Sequence, residues 1–222
     1  MRFASVIFDF DGVLIESEFE GNIALSKLLT SMGHPTSPRE AVAHYTGLSG
    51  QDFVDTVESR IGRRLPPEFH QATRSLRDRA LREGIAAVAG AIEFVRSLPR
   101  HLPKAVASSS STKWVRTHLD HLGIADLFEP HVYSGAEHVT HGKPAPDLYL
   151  YAASKLGVDI EKSLIVEDSL VGAKGALAAG ATVVGLAAGQ HCFDGHGAML
   201  RAAGIEHVAH SFDELSAFID VA

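Results

Sequence analysis

The sequence predicts an α/β protein: a mainly parallel sheet core carrying an inserted small α-helical cap domain. Three observations carry this expectation. Short apolar runs of strand length alternate with longer segments of helical periodicity. One long stretch after the first run holds helical patterns alone. The first run also ends in two aspartates, Asp9 and Asp11, within "VIFDFDGV", as expected where a buried parallel strand delivers polar groups to its carboxyl end.

The core strands are expected at Ala4–Phe8, Lys104–Ala107, His131–Tyr133, Ser163–Val166 and Thr182–Leu186. All are short and rich in apolar residues, as strands covered on both faces must be. Between them, Trp114–Leu122 repeats apolar residues at Trp114, Val115, Leu119 and Leu122 before Gly123, a helix stop. Ala145–Leu156 does the same with Leu148, Tyr151 and Ala152. Helical patterns at Asn22–Met32, Gln51–Ile61 and Pro67 to about Arg82 come before any second strand. The expected division is therefore a core of residues 1–15 and 84–222 and a helical cap of residues 16–83. Such strand–helix alternation places the helices on both faces of a parallel sheet.

With 222 residues, 45% of them hydrophobic, the chain can bury a full core. It has 20 basic and 27 acidic residues, a formal charge of −7, which argues against a general nucleic-acid or anionic-membrane surface. The single cysteine, Cys192, forms no internal disulfide and fits a reducing, cytoplasmic setting. No secretory signal or membrane-length apolar run is read. No obligate protein partner is expected, and a monomer is the default.

Three further elements end in polar residues that can meet Asp9 and Asp11 beyond the strand ends. "KAVASSSS" delivers Ser108, "HGKPAPD" delivers Lys143, and "SLIVEDSLVGAKGALAAG" delivers Glu167 and Asp168. A side-chain period of two puts Asp9 and Asp11 on one side if strand geometry continues. Converging carboxylates repel, and a hard divalent cation such as Mg2+ makes their convergence sensible. Phosphoryl transfer uses such a site. Asp9 is the candidate nucleophile, Asp11 the candidate acid and base, and Ser108 and Lys143 the candidate phosphate contacts.

Together, "DFDGV" at 9–13, "ASSSS" at 107–111, "GKPAPD" at 142–147 and "VEDSLVGAKGALAAG" at 166–180 resemble, in order, the four motifs of the haloacid dehalogenase-like hydrolase superfamily. The likeness is to its phosphatase and β-phosphoglucomutase-like branch. It spans essentially the whole chain and implies a Rossmann-like core with a helical cap after the first motif. It also implies Mg2+ held by Asp9, the backbone carbonyl of Asp11 and Asp168, with Glu167 binding the metal directly or through its water. Gly12 is expected to turn the chain after the catalytic pair, and Asp147 to support the Lys143 region.

The function expected is Mg2+-dependent hydrolysis of a small phosphomonoester, a sugar phosphate or related metabolite, through an aspartyl-phosphate. The rival sugar-phosphate mutase resembles the chain less: where such mutases carry a cap histidine and a cap-loop arginine, this sequence has Gly21 and Gly50. Asp11 and Asp168 together count against a haloacid dehalogenase. Lys27, in the cap segment, is a weak anchor for phosphonate hydrolysis, and the complete motif set argues against a noncatalytic binding domain. The segment "TGLSGQD" resembles the cap loop that faces the active site, so Thr46, Ser49 and Gln51 are expected substrate contacts. Arg74 and Arg77, in a run with Arg79 and Arg82, are expected to form a solvated helix face or to reach a second anionic group. "GQHCFDGHG" gathers His191, Cys192, Asp194 and His196, but their spacing fits no firm zinc pattern; a surface or substrate-entry loop is expected.

Overall fold

Six parallel strands form one sheet in the order β3-β2-β1-β4-β5-β6. They are β1 Ser5–Phe8, β2 Lys104–Ser108, β3 Val132–Ser134, β4 Ser163–Glu167, β5 Thr182–Leu186 and β6 His207–Ala209. The computed structural model describes residues 3–46, 48 and 50–221. By residue contacts the chain divides into two compact units, one of Met1–Glu16 with Ile85–Ala222 and one of Ser17–Gly84.

In the first unit β1 pairs with β2 on one side and β4 on the other. The chain adds β2 and β3 outward from one edge of β1, then crosses back to add β4, β5 and β6 beyond the other. That reversal opens a crevice past the carboxyl ends of β1 and β4, where ligands of open α/β sheets bind. Strands β1 to β4 are buried throughout, which explains the apolar residues at their centres. Alternation still operates within them. Ile7, Ala105 and Ile165 face a core built with Leu148, Tyr149, Ala152 and Ala176, from α8 (Asp147–Leu156) and α9 (Leu170–Ala179). Phe8 instead meets the edges of the Phe94 and Phe128 rings at centroid distances of 6.1 and 5.8 Å.

Serines start the two helices nearest the crevice. Ser111 accepts the Trp114 N–H at the start of α6 (Thr112–His121), and Ser169 accepts the Gly172 N–H at the start of α9. Strand β6 was not anticipated: it is three residues long and begins with exposed His207.

The second unit consists of α1 Ser17–Ser31, α2 Pro38–Tyr45, α3 Gly50–Ile61 and α4 Pro67–Glu83. Its own core joins Leu25, Leu29, Ala41, Tyr45, Val57, Leu65 and Phe69. Helix α2 is absent from the sequence expectation, although its start carries a capping box: Ser37 accepts the Glu40 N–H and Glu40 accepts the Ser37 N–H. Among the described residues, no helix is long and apolar enough to cross a membrane.

Phe8 tests this packing directly. Phe8→Ala should cost about 3–5 kcal/mol of stability in urea unfolding, whereas Leu150→Ala, at a site 43% exposed, should change it by no more than about 0.5 kcal/mol. Equal effects would contradict the buried place of Phe8.

Candidate active site

The first acidic residue is fixed by the sheet although the strand has ended. Asp9 follows β1, and its N–H donates to the Val166 carbonyl of β4 at 2.9 Å. The chain then turns at Gly12, whose φ is 83°, a conformation in which glycine meets no steric penalty. Space demands glycine there as well: a methyl group at Gly12 would fall 2.2 Å from Asp168 Oδ2.

Strand β4 and the residue after it supply two further acids. Glu167, its last residue, is wholly buried. Glu167 Oε1 accepts from Lys143 Nζ at 2.6 Å and from the Tyr149 hydroxyl at 2.7 Å. Glu167 Oε2 accepts from the Ser169 N–H and hydroxyl, both at 3.0 Å. Gly172 makes room for this carboxylate, since a methyl there would lie 1.6 Å from Oε1. Glu167 therefore does not cap α9; Ser169 does.

Lys143 joins the two strands. Its side chain is 3% exposed and pairs with both Asp9 and Glu167. Asp168 stands on the other side of the acidic group, where its Oδ2 lies 2.7 Å from His191 Nε2. Its Oδ1 is buried with no hydrogen-bond partner among the described residues.

The electrostatics follow from burial and from this single ammonium. Burial raises the Asp9 pKa well above its usual range, with Glu167 and Asp168 adding to the rise, and Lys143 offsets only part of it. Burial and Glu167 likewise raise that of Asp168. At Glu167, burial is outweighed by Lys143 and by the hydrogen bonds from Lys143, Tyr149 and Ser169, so its pKa falls. Against desolvation, Asp9 and Glu167 hold the Lys143 pKa above its ordinary value. Three carboxylates thus meet one ammonium in a buried place.

Asp9, Glu167 and Asp168 each offer an oxygen, all within 4.8 Å of one another. Hard oxygen donors, excess negative charge and the partnerless Asp168 Oδ1 fit a divalent cation such as Mg2+. This buried Asp/Glu cluster has the composition of a magnesium site in a phosphoryl-transfer enzyme.

The Asp11 carboxylate does not join that cluster. β1 stops at Phe8, so the strand alternation that would align it with Asp9 is not sustained. Ser110 Oγ donates to Asp11 Oδ2 at 2.7 Å, Ser108 Oγ donates to the same atom at 3.3 Å, and Trp114 Nε1 donates to Oδ1 at 3.0 Å. Ser108 also accepts the Ser110 N–H at 2.9 Å, and Asp147 contacts His141 at 3.3 Å rather than Lys143.

Several helical-unit candidates make contacts inside that unit. Thr46 Oγ1 accepts from Asn22 Nδ2 at 3.2 Å, and Gln51 donates to Asp55 at 2.7 Å. Ser49 lies outside the described residues. Arg74 and Arg77 are exposed on α4, and Arg79 pairs with Glu83.

Four contributors escaped the sequence reading. Tyr149 was passed over beside Leu148, Tyr151 and Ala152, and Trp114 read as the start of an amphipathic repeat; Ser110 was lost in a run of serines. His191 was assigned to a surface or entry loop, yet it is buried on Asp168. His191, Cys192 and His196 do offer ligand atoms within 4.8 Å of one another. However, His191 Nε2 faces Asp168, and His196 Nε2 lies 2.7 Å from the Asp168 carbonyl. Burial also pushes the Cys192 thiol pKa far up, so this trio is an extension of the acidic site rather than a separate centre.

Comparison with known proteins agrees with this geometry. The chain is 32% identical over 195 residues to hexitol phosphatase A of Escherichia coli (strain K12), covering 83% of each chain. A haloacid dehalogenase-like protein from Agrobacterium tumefaciens str. C58 superposes with a TM-score of 0.88 at 32% identity, covering 99% of this chain and 98% of that one. A hydrolase of the same family from Deinococcus radiodurans R1, solved with bound phosphate and sodium, gives a TM-score of 0.83 at 32% identity over 98% and 95%. The family model for haloacid dehalogenase-like hydrolases matches residues 6–186. The chain belongs to the haloacid dehalogenase-like hydrolases and is an enzyme of their phosphatase branch.

Proposed function

We propose that this enzyme hydrolyses a small phosphomonoester, a sugar phosphate or related metabolite, by Mg2+-dependent transfer of the phosphoryl group to Asp9 and then to water. The observation that carries the reading is the buried group of Asp9, Glu167 and Asp168 around a single ammonium, Lys143, at the carboxyl ends of β1 and β4. The family's hexitol phosphatase and the phosphate-bound hydrolase support the substrate class.

Asp9, Asp168 and Glu167 would hold the cation, with the backbone carbonyl of Asp11 as a further ligand. When bound, Mg2+ neutralises phosphate oxygens and the excess negative charge of the site. Asp9 attacks phosphorus, and the ester oxygen leaves with the bonding electrons, taking a proton from Asp11. Asp11 then accepts a proton from the water that attacks the aspartyl-phosphate, releasing inorganic phosphate and restoring the Asp9 carboxylate. To serve, Asp11 must exchange at least one of the donors that now hold it, Ser108, Ser110 and Trp114.

Lys143 offsets part of the cost of ionising Asp9 and places it for attack, and it adds positive charge where the phosphoryl oxygens come to lie. Ser108, released from Asp11, donates to one of those oxygens. Thr46, Ser49, Gln51, Arg74 and Arg77 are the candidate selectors of the rest of the substrate. The inserted unit Ser17–Gly84 is the candidate cap, and its closure over a substrate would exclude bulk water. A reducing, cytoplasmic setting agrees with the lone cysteine.

Two measurements test this reading. Phosphate release should be seen from a few members of a panel of hexose phosphates, hexitol phosphates and phosphogluconate, and chelation should abolish it. Release that survives chelation would overturn the metal requirement. Asp9→Asn should lower kcat at least about a thousandfold while thermal unfolding stays cooperative; retained turnover would remove Asp9 from the nucleophile's role.

A further inference from the structure

His191 reaches the acidic cluster from a loop that the proposed chemistry does not otherwise use. The loop follows β5 and is tied down at several points. The Gln190 N–H donates to Glu16 Oε2 at 2.9 Å, the Cys192 N–H donates to the Gly189 carbonyl at 2.9 Å, and the Ala187 N–H donates to the Ala209 carbonyl at 2.8 Å. His196 adds a contact between its Nε2 and the Asp168 carbonyl at 2.7 Å. The His191 imidazole is wholly buried, with Nε2 2.7 Å from Asp168 Oδ2.

Two glycines form the slot that admits the ring. A methyl at Gly189 would fall 2.6 Å from His191 Nδ1, and a methyl at Gly12 would fall 2.9 Å from Cε1. Real side chains do not approach so closely, so either substitution would displace the imidazole. Gly12 is the turn that follows Asp9 and Asp11. The segment that carries the first acids is thus shaped around the residue that supports the last one.

We propose that His191 is a positioning residue for the metal centre: by donating Nε2–H to Asp168 Oδ2, it fixes the carboxylate so that Oδ1 faces the cation. The inference rests on the magnesium reading of the Asp9, Glu167 and Asp168 cluster. Asp168 needs such support more than its neighbours. Lys143 pairs with Asp9 and Glu167, but not with Asp168, and Glu167 has further donors in Tyr149 and Ser169. A carboxylate that ligates a cation is ionised and can only accept hydrogen bonds. His191 therefore supplies the proton, leaving the partnerless oxygen for metal. Partners of metal-binding carboxylates restrict their orientation, and losing one typically weakens metal binding about 10- to 100-fold.

Binding of the metal alone to the substrate-free protein tests this. Free Mn2+ is followed by electron paramagnetic resonance, with Mg2+ as the competitor, for wild type, His191→Leu, His191→Gln and Asp168→Asn. The expected result is an affinity about 10- to 100-fold weaker in His191→Leu. His191→Gln, which keeps an N–H donor, should recover most of the loss. Wild-type affinity in His191→Leu overturns the proposal. So does equal weakening in the Leu and Gln variants, which would indicate lost packing rather than a lost donor. Should His191→Leu fail to fold, Gly189→Ala tests the same point: it should weaken binding by displacing the ring, and unchanged affinity overturns the proposal. Unchanged binding in Asp168→Asn overturns the metal reading together with this inference. Weakening in Asp168→Asn without weakening in His191→Leu removes His191 alone.

Discussion

Everything at this site depends on the Lys143 ammonium lying between the carboxylates of Asp9 and Glu167. A buried carboxylate is costly, and two side by side repel in a medium that screens poorly. One cation serving both makes their approach possible. It also sorts the acids. Glu167, which collects four donor contacts, is held ionised. Asp9 and Asp168 remain under pressure from burial and from the carboxylate of Glu167. Removing one partner from a buried ion pair typically costs about 3–5 kcal/mol, because the other charge is left uncompensated. Lys143 is therefore a structural residue as much as a chemical one.

The fold delivers this arrangement economically. Reversal of strand order about β1 and β4 brings the ends of two neighbouring strands to one crevice. Only the first residue beyond β1, the last of β4 and its successor are needed to assemble the three acids. Backbone pairing of Asp9 to Val166 sets their mutual height. Glycines then clear the space: Gly172 beneath Glu167, and Gly12 beside Asp168 and His191. The second aspartate of the first motif is set apart by a different device, a cradle of two serine hydroxyls and an indole N–H. Separation lets one short segment present one acid to the cluster and hold the other apart on its own donors.

Much of this was legible because the sheet is buried on both faces. Short, mostly apolar runs marked five strands, and polar residues at their ends marked Asp9, Ser108 and Glu167–Asp168. Lys143 was legible through "GKPAPD", not through hydropathy. Strand β6 and helix α2 were less visible: His207 is exposed, and "PREAVAHY" has only two buried positions, Ala41 and Tyr45. Asp11 lies beyond the last residue of β1, so the alternation that would have aligned it with Asp9 does not extend to it. His191, Tyr149 and Trp114 were hidden for another reason. Each reaches the site by a long-range contact, with sequence separations of 18 to 103 residues for the last two, and no local periodicity records such a meeting.

The most direct measurement is the covalent state of Asp9 during turnover. Enzyme mixed with Mg2+ and a substrate found by phosphate release is quenched in acid within the first turnover, and its peptides are read by mass spectrometry. The account expects one phosphoryl group, on Asp9, that disappears as inorganic phosphate accumulates. A phosphoryl group on another residue, or complete turnover with Asp9 unmodified at every quench time, would contradict it.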